Sequence, residues 1–187
     1  DVYKRQALER LDHALAHTRV LGVVTNIDFC RFVLAQQAVV DAELDTELLD
    51  RLVVDYQAPQ PVPEALALAG LARIGTRDRG DVWQSSVGWR IGGRAPVVTR
   101  LVSGTDHFTV SVRVDVADED TLTGEVTVET EAETPVQWRA AVEYRTGRLV
   151  VDGVSQSWTS ALLGDTWWVA GPHGTWQLAL ALSLIHI

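Results

Sequence analysis

The stretch Ala65-Leu-Ala-Leu-Ala-Gly-Leu-Ala72 decides the fold, because it is apolar at every position. Pro63 suits the first turn of a helix and Gly75 suits its C-terminal cap, so we predict a helix from Pro63 to Ile74. A helix without a polar face is normally buried on all sides. The alanines and the glycine keep this helix slim, so other elements must wrap around it.

The chain that follows alternates between apolar and polar residues, as expected of strands with one dry face and one wet face. This parity predicts three long strands with the dry residues Phe108, Val110, Val112 and Val114, then Leu122, Gly124, Val126 and Val128, then Val136, Trp138, Ala140, Val142 and Tyr144. Shorter strands are predicted at about 97–102, 148–152, 154–161, 165–171 and 174–181. Their spacing is typical of an antiparallel meander or barrel.

Closure of such a sheet into a barrel would remove its exposed edges. A barrel of about eight strands has room for side chains or one small ligand, so it holds a helix only if that helix is slim. At ~1.5 Å per residue the predicted helix is ~18 Å long, which is comparable with the strands. We therefore predict an α+β fold, with a short helical N-terminal segment followed by an antiparallel β-barrel of about eight strands wrapped around a central helix.

The N-terminal segment has its own helical pattern. Residues 7–17 carry apolar side chains at a helical period. The stretch Gly22-Val-Val-Thr25-Asn26-Ile-Asp28-Phe29 follows. Thr25 or Asn26 is expected to cap a second helix to about residue 36, with Asp28 near the positive end of that helix.

A proline-rich stretch marks the domain boundary. Asp45-Thr46-Glu-Leu-Leu49 offers a further cap, for a short helix to about Val53. Gln57-Ala-Pro59-Gln-Pro61-Val-Pro63 then supplies closely spaced prolines, which no helix interior or central strand tolerates. We predict one unit over 7–56, a linker over 57–62 and a helix-plus-barrel domain over 63–182.

The two ends differ in composition from the rest of the chain. Asp1-Val-Tyr-Lys-Arg-Gln6 and Ser183-Leu-Ile-His-Ile187 resemble translated sequencing adapters, and Lys4 is the only lysine. The chain has no methionine. We expect residues 1–6 and 183–187 to be adapter-derived tails, and the chain to be an internal piece of a longer protein.

Charge and cysteine content disfavour several classes of function. The formal net charge of −9 would repel a nucleic-acid backbone. Cys30 is the only cysteine, so no disulfide forms within the chain, and we expect a small buried hydrophobe there. No apolar run reaches the roughly 18 residues of a membrane helix. We therefore expect no membrane segment and a cytoplasmic protein.

Two groups of side chains have the types that bind metal ions. His13 and His17 are four residues apart on a predicted helix, a spacing that can place two imidazoles on one metal, but no third ligand is near them in the sequence. We interpret them as a solvated helix face. Asp118-Glu119-Asp120 has hard oxygen ligands but lies between two strands, so we interpret it as a turn.

Two further patterns fall short of an active site. His107 and His173 have serines and aspartates around them, but no Gly-x-Ser-x-Gly elbow accompanies them. Gly92-Gly93 lacks the third glycine and the lysine of a phosphate loop, so we interpret it as a turn between strands. No catalytic, cofactor-binding or metal-ligating residue is predicted.

The tryptophans are the richest feature of the predicted barrel. Core packing is the expected role of most of them, and Trp138 shares the dry parity. In the pair Trp167 and Trp168, neighbouring rings must face opposite sides of the strand. The ring that points outward is the candidate for a protein interface, where large aromatics often dominate binding.

Several motifs carry a family resemblance. The stretches Leu8-Glu-Arg10-Leu11-Asp-His-Ala14-Leu15, Gly22–Phe29 and Asp45–Leu49 resemble the closing segment of a biotin carboxylase domain. The barrel region is similar to the barrel-around-helix interdomain (BT) module of acyl-CoA carboxylase α-subunits, in the motifs Gly80-Asp81-Val-Trp83, Gly88-Trp89-Arg90, Gly164-Asp165-Thr-Trp167-Trp168 and His173-Gly174-Thr-Trp176. Among the methylcrotonyl-, acetyl- and propionyl-CoA types, it most resembles the methylcrotonyl-CoA type.

The resemblance implies a function for the longer protein and a different one for this piece. Such α-subunits carboxylate biotin with ATP and bicarbonate, and a partner β-subunit transfers the carboxyl group to an acyl-CoA. Biotin, ATP and Mg²⁺ belong to parts upstream and downstream, and this chain has no lysine beside a methionine to carry biotin. The resemblance implies that the barrel joins the α-subunit to the carboxyltransferase β-subunit in a hetero-oligomer, and that the piece is inactive alone.

Two other interpretations stay open. A barrel of lipocalin type would hold a small apolar ligand in place of the helix, but the slim helix argues against it. A structural β-domain, such as an extracellular sandwich, is disfavoured because the chain has no pair of cysteines.

Overall fold

The computed structural model describes residues 2–77, 89–90, 93–117, 120–130, 134–143 and 146–181. The N-terminal segment contains helices α1 (Val2–His17), α2 (Ile27–Leu34), α3 (Gln37–Asp41) and α4 (Leu48–Asp55), and the linker leads into α5 (Pro63–Arg77). The strands follow: β1 (Trp89–Arg90), β2 (Gly93–Arg94), β3 (Val97–Ser103), β4 (Asp106–Ala117), β5 (Thr121–Thr130), β6 (Val136–Glu143), β7 (Arg148–Val151), β8 (Val154–Ser157), β9 (Thr159–Leu163), β10 (Thr166–Gly171) and β11 (Gly174–Leu180).

The helices of the N-terminal segment differ in detail from the prediction. The helix expected to run to about residue 36 ends at Leu34, because Gln36 is extended and begins α3 instead. Asn26 occupies the N-cap position of α2, but its side chain makes no capping hydrogen bond, so that prediction was wrong. The backbone of Asn26, with φ −96° and ψ 17°, is not extended as in a residue whose side chain caps a helix, although its carbonyl accepts the first helical hydrogen bond from the Cys30 amide at 2.8 Å. Cys30 is only partly buried, where a buried side chain was expected.

The turn before α4 is held by the carboxylate of Asp45. One carboxylate oxygen accepts a hydrogen bond from the Glu47 amide at 2.8 Å, and the other accepts from the Arg51 guanidinium at 2.7 Å. The helix that follows ends at Asp55, slightly beyond the predicted end. Asp45 therefore orders this turn as expected of a side chain that bonds its own backbone two residues on.

Helix α5 is buried, as its sequence predicted. The side chains from Ala65 to Ala72 are at most 5% exposed. The helix extends past Ile74 to Arg77, so Gly75 lies inside it and the predicted C-terminal cap was wrong. Packing on all sides outweighs the ~1 kcal/mol that a glycine costs in a helix interior.

One antiparallel sheet surrounds α5. Its strand order is β8-β7-β6-β5-β4-β3-β11-β10-β9, while β1 and β2 form a separate hairpin. The helix packs against β3, β4, β5, β6, β9, β10 and β11. These strands extend from the middle of the sheet to its β9 edge. Because strands so far apart in the strand order contact the same helix, the sheet must curl around it. The structure confirms the predicted α+β barrel around a central helix.

The curled sheet has nine strands, where about eight were predicted. The predicted strand at 154–161 is divided at Trp158 into β8, which pairs with β7, and β9, which pairs with β10. The two edge strands of the sheet are therefore separated by one residue of the chain. A sheet whose two edges are joined in this way is nearly closed.

The interior of the barrel is dry and well filled. Its core combines the side chains of α5 with the predicted dry residues of β4 and β5 and with Ala140 and Val142 of β6. Trp138 packs against this core while only partly buried, Val136 is partly buried outside it, and Tyr144 lies outside the described residues. Since α5 occupies the space that a lipocalin gives to its ligand, the structure argues against the ligand-barrel interpretation. Thr99 is the one buried polar residue among those that the structure describes.

Candidate functional site

The linker is fastened to the barrel by a tryptophan. The indole Nε1 of Trp176 in β11 donates a hydrogen bond to the Pro59 carbonyl at 3.0 Å. Pro61, two residues further, is buried. The sequence offered one signal of this contact, because a buried indole needs an acceptor for its N–H and a proline-rich segment has carbonyls free of helix or sheet bonds.

A second tryptophan closes the barrel where its edge strands meet. Trp158 lies between β8 and β9, and its amide donates a hydrogen bond to the Gly147 carbonyl at 2.8 Å. Its ring lies against the Cα of Gly171, where any larger residue would collide with it. It also stacks on Trp176, with ring centroids 6.3 Å apart. Barrel closure and linker attachment therefore share one aromatic cluster.

A cleft of about 330 Å³ separates the N-terminal segment from β10 and β11. Its lining includes Arg19 and Asp28 from the helical side, Tyr56 from the end of α4, and Trp168 and Gln177 from the barrel. Arg19 donates a hydrogen bond to the Ala16 carbonyl at 2.7 Å, so this cation is already engaged with the end of α1. The cleft is lined by groups from two parts of the chain that sequence reasoning did not bring together.

Burial raises the pKa of two ionisable groups that line this cleft. It raises the pKa of the Asp28 carboxyl above its ordinary value, and the nearby Arg31 guanidinium opposes this rise. The pKa of the Tyr56 hydroxyl is also raised, first by burial and then by the charge of Asp28. Arg31 bonds the Asp12 carboxylate at 2.8 Å, and that hydrogen bond raises the arginine pKa. The ion pair between Arg31 and Asp12 joins α2 to α1.

Both rings of the predicted interface pair are buried. Trp167 is 4% exposed and belongs to the barrel core, whereas Trp168 is 7% exposed and lines the cleft. Their cross-strand partners follow the same alternation, with Leu178 buried opposite Trp167 and Gln177 exposed opposite Trp168. The outward ring is therefore Trp168, and it faces the N-terminal segment of its own chain.

The histidines lie at separate places on the surface. His13 and His17 are exposed on α1 with ring centroids 4.1 Å apart, and the His17 Nδ1 lies 2.7 Å from the His13 carbonyl. His107 is exposed in β4, and His173 is exposed between β10 and β11. Within the described ranges, no three His, Cys, Asp or Glu side chains come together in a way that could hold a metal ion.

Two of the predicted turns lie partly outside the described residues. Asp118 and Glu119 are outside them, while Asp120 is exposed just before β5. Gly92 is also outside them, whereas Gly93, the other residue of that predicted turn, lies in β2 and pairs with Arg90 of β1, so the prediction was wrong for Gly93. In the described part of the chain, no helix is both long enough and apolar enough to cross a membrane.

The outer surface of the barrel is charged in one region and apolar in another. It carries an ion pair between the neighbouring strands β4 and β5, with Arg113 and Glu125 at 3.4 Å, and one that spans β5, with Arg139 of β6 and Asp115 of β4 at 2.7 Å. Near β9 it carries exposed leucines instead.

Lys4, the only lysine of the chain, is engaged within the N-terminal segment. Lys4 donates a hydrogen bond from Nζ to the Val40 carbonyl at 3.0 Å, and no methionine adjoins it. Its ammonium group thus holds α1 against α3. That this piece binds none of the cofactors of the longer protein stays a prediction.

The barrel region matches a known protein-family model. Residues 62–181 match the family described as methylcrotonyl-CoA carboxylase, alpha-subunit, BT domain. The match spans more than half of the chain and begins at the residue before α5. It confirms the resemblance of the barrel region. The resemblance of residues 7–56 to the end of a biotin carboxylase domain lies outside the match and stays a prediction.

Proposed function

Because the chain belongs to the BT-domain family of carboxylase α-subunits, we propose that it is a connector within an acyl-CoA carboxylase. In this proposal the barrel joins the α-subunit to the carboxyltransferase β-subunit, and the chain contributes assembly and no chemistry. The observation that carries the proposal is the agreement between the matched residues 62–181 and the helix-filled barrel.

The attachment of the linker supports a mechanical role. The hydrogen bond from Trp176 to the Pro59 carbonyl and the burial of Pro61 tie the segment before α5 to β11. A linker held in this way transmits the position of the barrel to the helices that precede it. This is what a connector between a catalytic domain and a partner subunit requires.

The positions of Trp167 and Trp168 also support the connector role. Trp168 lines the cleft that faces the N-terminal segment, so we propose that it helps to position that segment on the barrel. Trp167 belongs to the core and stabilises the barrel that presents the interface. The two rings would then serve subunit contact indirectly.

The longer protein is proposed to use biotin, ATP and Mg²⁺. Its α-subunit would carboxylate biotin with ATP and bicarbonate, and its β-subunit would transfer the carboxyl group to the acyl-CoA. We propose methylcrotonyl-CoA as the acyl-CoA, which the description of the matching family supports. The present chain takes part in neither half-reaction.

Competition during assembly tests the proposal. An excess of the chain is added while a methylcrotonyl-CoA carboxylase is reconstituted from separate α- and β-subunits, and carboxylation is assayed. We expect the chain to occupy the β-subunit and lower the yield of active enzyme. A matched control is Leu66→Asp, which places a charge in the barrel core and should abolish competition. Equal activity with and without the chain would contradict the connector function.

A further inference from the structure

The end of helix α4 is anchored to the other helices. Tyr56, which follows α4, packs its ring against Phe29 and Phe32 of α2, with ring centroids 5.1 Å and 5.3 Å apart. Contacts between aromatic rings at such distances are favourable beyond the apolar area that they bury. The position of Tyr56 is therefore fixed relative to the N-terminal helices.

The linker is anchored to the barrel from Pro59 onward. Trp176 bonds the Pro59 carbonyl, and Pro61 is buried. Only Gln57 and Ala58 lie between this anchor and the aromatic anchor on α2. Both are exposed, and their backbone groups make no hydrogen bond to any residue that the structure describes. These two residues are held by neither side.

The neighbouring proline limits the freedom of this short segment. Ala58 precedes Pro59, so its ψ is restricted to extended values. Tyr56 has φ −73° and ψ 125° and is fixed by its ring contacts. The torsions left free are φ and ψ of Gln57 and φ of Ala58. Rotation about them turns the helices relative to the barrel.

No polar bond outside the linker opposes such a rotation in the described part of the chain. Within the described residues, no hydrogen bond or ion pair joins residues 7–57 to residues 62–181. The barrel core and the apolar groups that pack against it begin at Val62. A side-chain carbon placed on Gly22 would lie 3.9 Å from Cδ2 of Leu163, which is ordinary van der Waals contact. Such contacts separate without leaving an unpaired buried charge or donor.

The cleft of about 330 Å³ between the helices and the barrel is lined in part by Ala58 itself. Its walls come from the two sides that the linker joins, with residues of α1 and α2 on one side and of β10 and β11 on the other. Two arginines of the helical wall, Arg19 and Arg31, make their hydrogen bonds within the helical part. Rotation next to Ala58 therefore changes the width of the cleft without breaking these bonds.

We infer that Gln57 and Ala58 form a hinge, about which helices α1 to α4 turn relative to the barrel and so open and close the cleft. The hinge lies before the attachment of the linker, so the barrel carries residues 59–62 with it in every orientation. Because the hinge is short and borders a proline, it allows a change of angle with little change of distance. This inference is independent of any contact with a β-subunit.

Spin labels on the two sides measure this motion. In a Cys30→Ser chain, a hinge pair of labels joins Leu11→Cys on α1 to Val98→Cys on β3. A reference pair joins Val98→Cys to Val154→Cys on β8, so both of its labels lie on the barrel. The labelled positions are exposed. Pulsed electron–electron double resonance gives the distribution of distances for each pair. We expect the distribution of the hinge pair to be clearly broader than that of the reference pair.

Substitutions in the linker locate the hinge. Gln57→Pro suits the extended backbone of Tyr56 and fixes one of the free torsions, so we expect it to narrow the distribution of the hinge pair by about a third. Ala58→Gly should broaden that distribution, because glycine also adopts positive φ. Gln60→Gly is the matched control. Gln60 also precedes a proline, but it lies between two anchored residues, so this change should leave the width as it is.

Each contrary result rejects the hinge for its own reason. If the hinge pair is as narrow as the reference pair before any linker substitution, the helices and the barrel form one rigid body. If Ala58→Gly and Gln60→Gly broaden the distribution equally, the bend extends along the whole linker. If neither Gln57→Pro nor Ala58→Gly alters a broad distribution, the motion takes place elsewhere. A reference pair that broadens in a linker variant would show that the linker shapes the barrel itself, which also contradicts the hinge.

Discussion

Gly70 in α5 lies against Val110 in β4 so closely that a Cβ at position 70 would be 2.6 Å from Cγ1 of Val110. Real Cβ atoms essentially never approach another heavy atom that closely, so any side chain here forces the helix or the strand to move. The contact sets how closely the barrel can wrap around its helix. It is the point at which the slimness of α5 can be tested.

Substitution Gly70→Ala should destabilise the domain. Alanine favours a helix by ~1 kcal/mol over glycine, but overpacking a core costs ~1–3 kcal/mol. We expect a net loss in the free energy of unfolding, measured by urea denaturation. In a Val110→Ala background the same change should cost much less, since the colliding methyl group is gone. A stabilised Gly70→Ala single variant would show that α5 does not touch β4 as described.

The attachment of the linker should depend on the indole N–H of Trp176. Trp176→Phe keeps an aromatic ring but leaves the Pro59 carbonyl without its donor, at a cost of ~1 kcal/mol. We expect faster proteolysis within residues 57–62 as the linker loosens. Trp168→Phe is the control, because Trp168 is also buried but makes no such bond to the linker. Equal cleavage of the two variants would argue against the attachment.

Thr99 offers a test in the stabilising direction. Its hydroxyl oxygen is buried and has no hydrogen-bond partner among the described residues. Thr99→Val has nearly the same shape and removes the unsatisfied group, so we expect the free energy of unfolding to rise by ~1 kcal/mol or more. Calorimetry measures the change. A loss of stability would mean that the hydroxyl is satisfied, for instance by a buried water.

The carboxyl of Asp28 should make stability fall as pH rises. Burial raises its pKa in the folded chain above the ordinary value of 3.8, so the folded chain holds the proton to higher pH than the unfolded chain. Stability therefore decreases from about that value up to the folded pKa. We expect Asp28→Asn to remove this decrease and to be more stable than the unchanged chain at neutral pH.

Asp45 provides the opposite case as a control. Its pKa is lowered, first by the hydrogen bond from Arg51, so its contribution is present above 3.8 and is lost as pH falls through the folded pKa. Asp45→Asn should therefore lower stability at neutral pH. Urea denaturation between acid and neutral pH compares the two variants. The same slope for both variants would contradict the described environments of these carboxylates.

The sequence predicted those parts of the fold that depend on local periodicity. The burial of Ala65–Ala72 and the dry faces of β4 to β6 follow from which residues repeat along one helix or strand. The division of one strand at Trp158 was not predicted, because it depends on β7 and β10 meeting the same stretch from two sides.

The candidate surfaces were predictable only in part, for the same reason. Alternation showed that Trp167 and Trp168 face opposite sides, but it could not show that the N-terminal segment lies across the outward ring. The cap expected of Asn26 failed because its backbone, with φ −96° and ψ 17°, is not in the extended conformation from which such a side chain reaches the free amides of the first turn. Contacts between distant parts of the chain are set by tertiary packing, which no local pattern encodes.

Sedimentation velocity of the 187-residue chain mixed with a purified methylcrotonyl-CoA carboxylase β-subunit tests the connector function most directly. We predict that part of the chain moves with the β-subunit in a heavier complex whose amount saturates as the chain is added. The core variant Leu66→Asp should stay in its own slow boundary. Independent sedimentation of the unchanged chain and the β-subunit at every ratio would contradict the account.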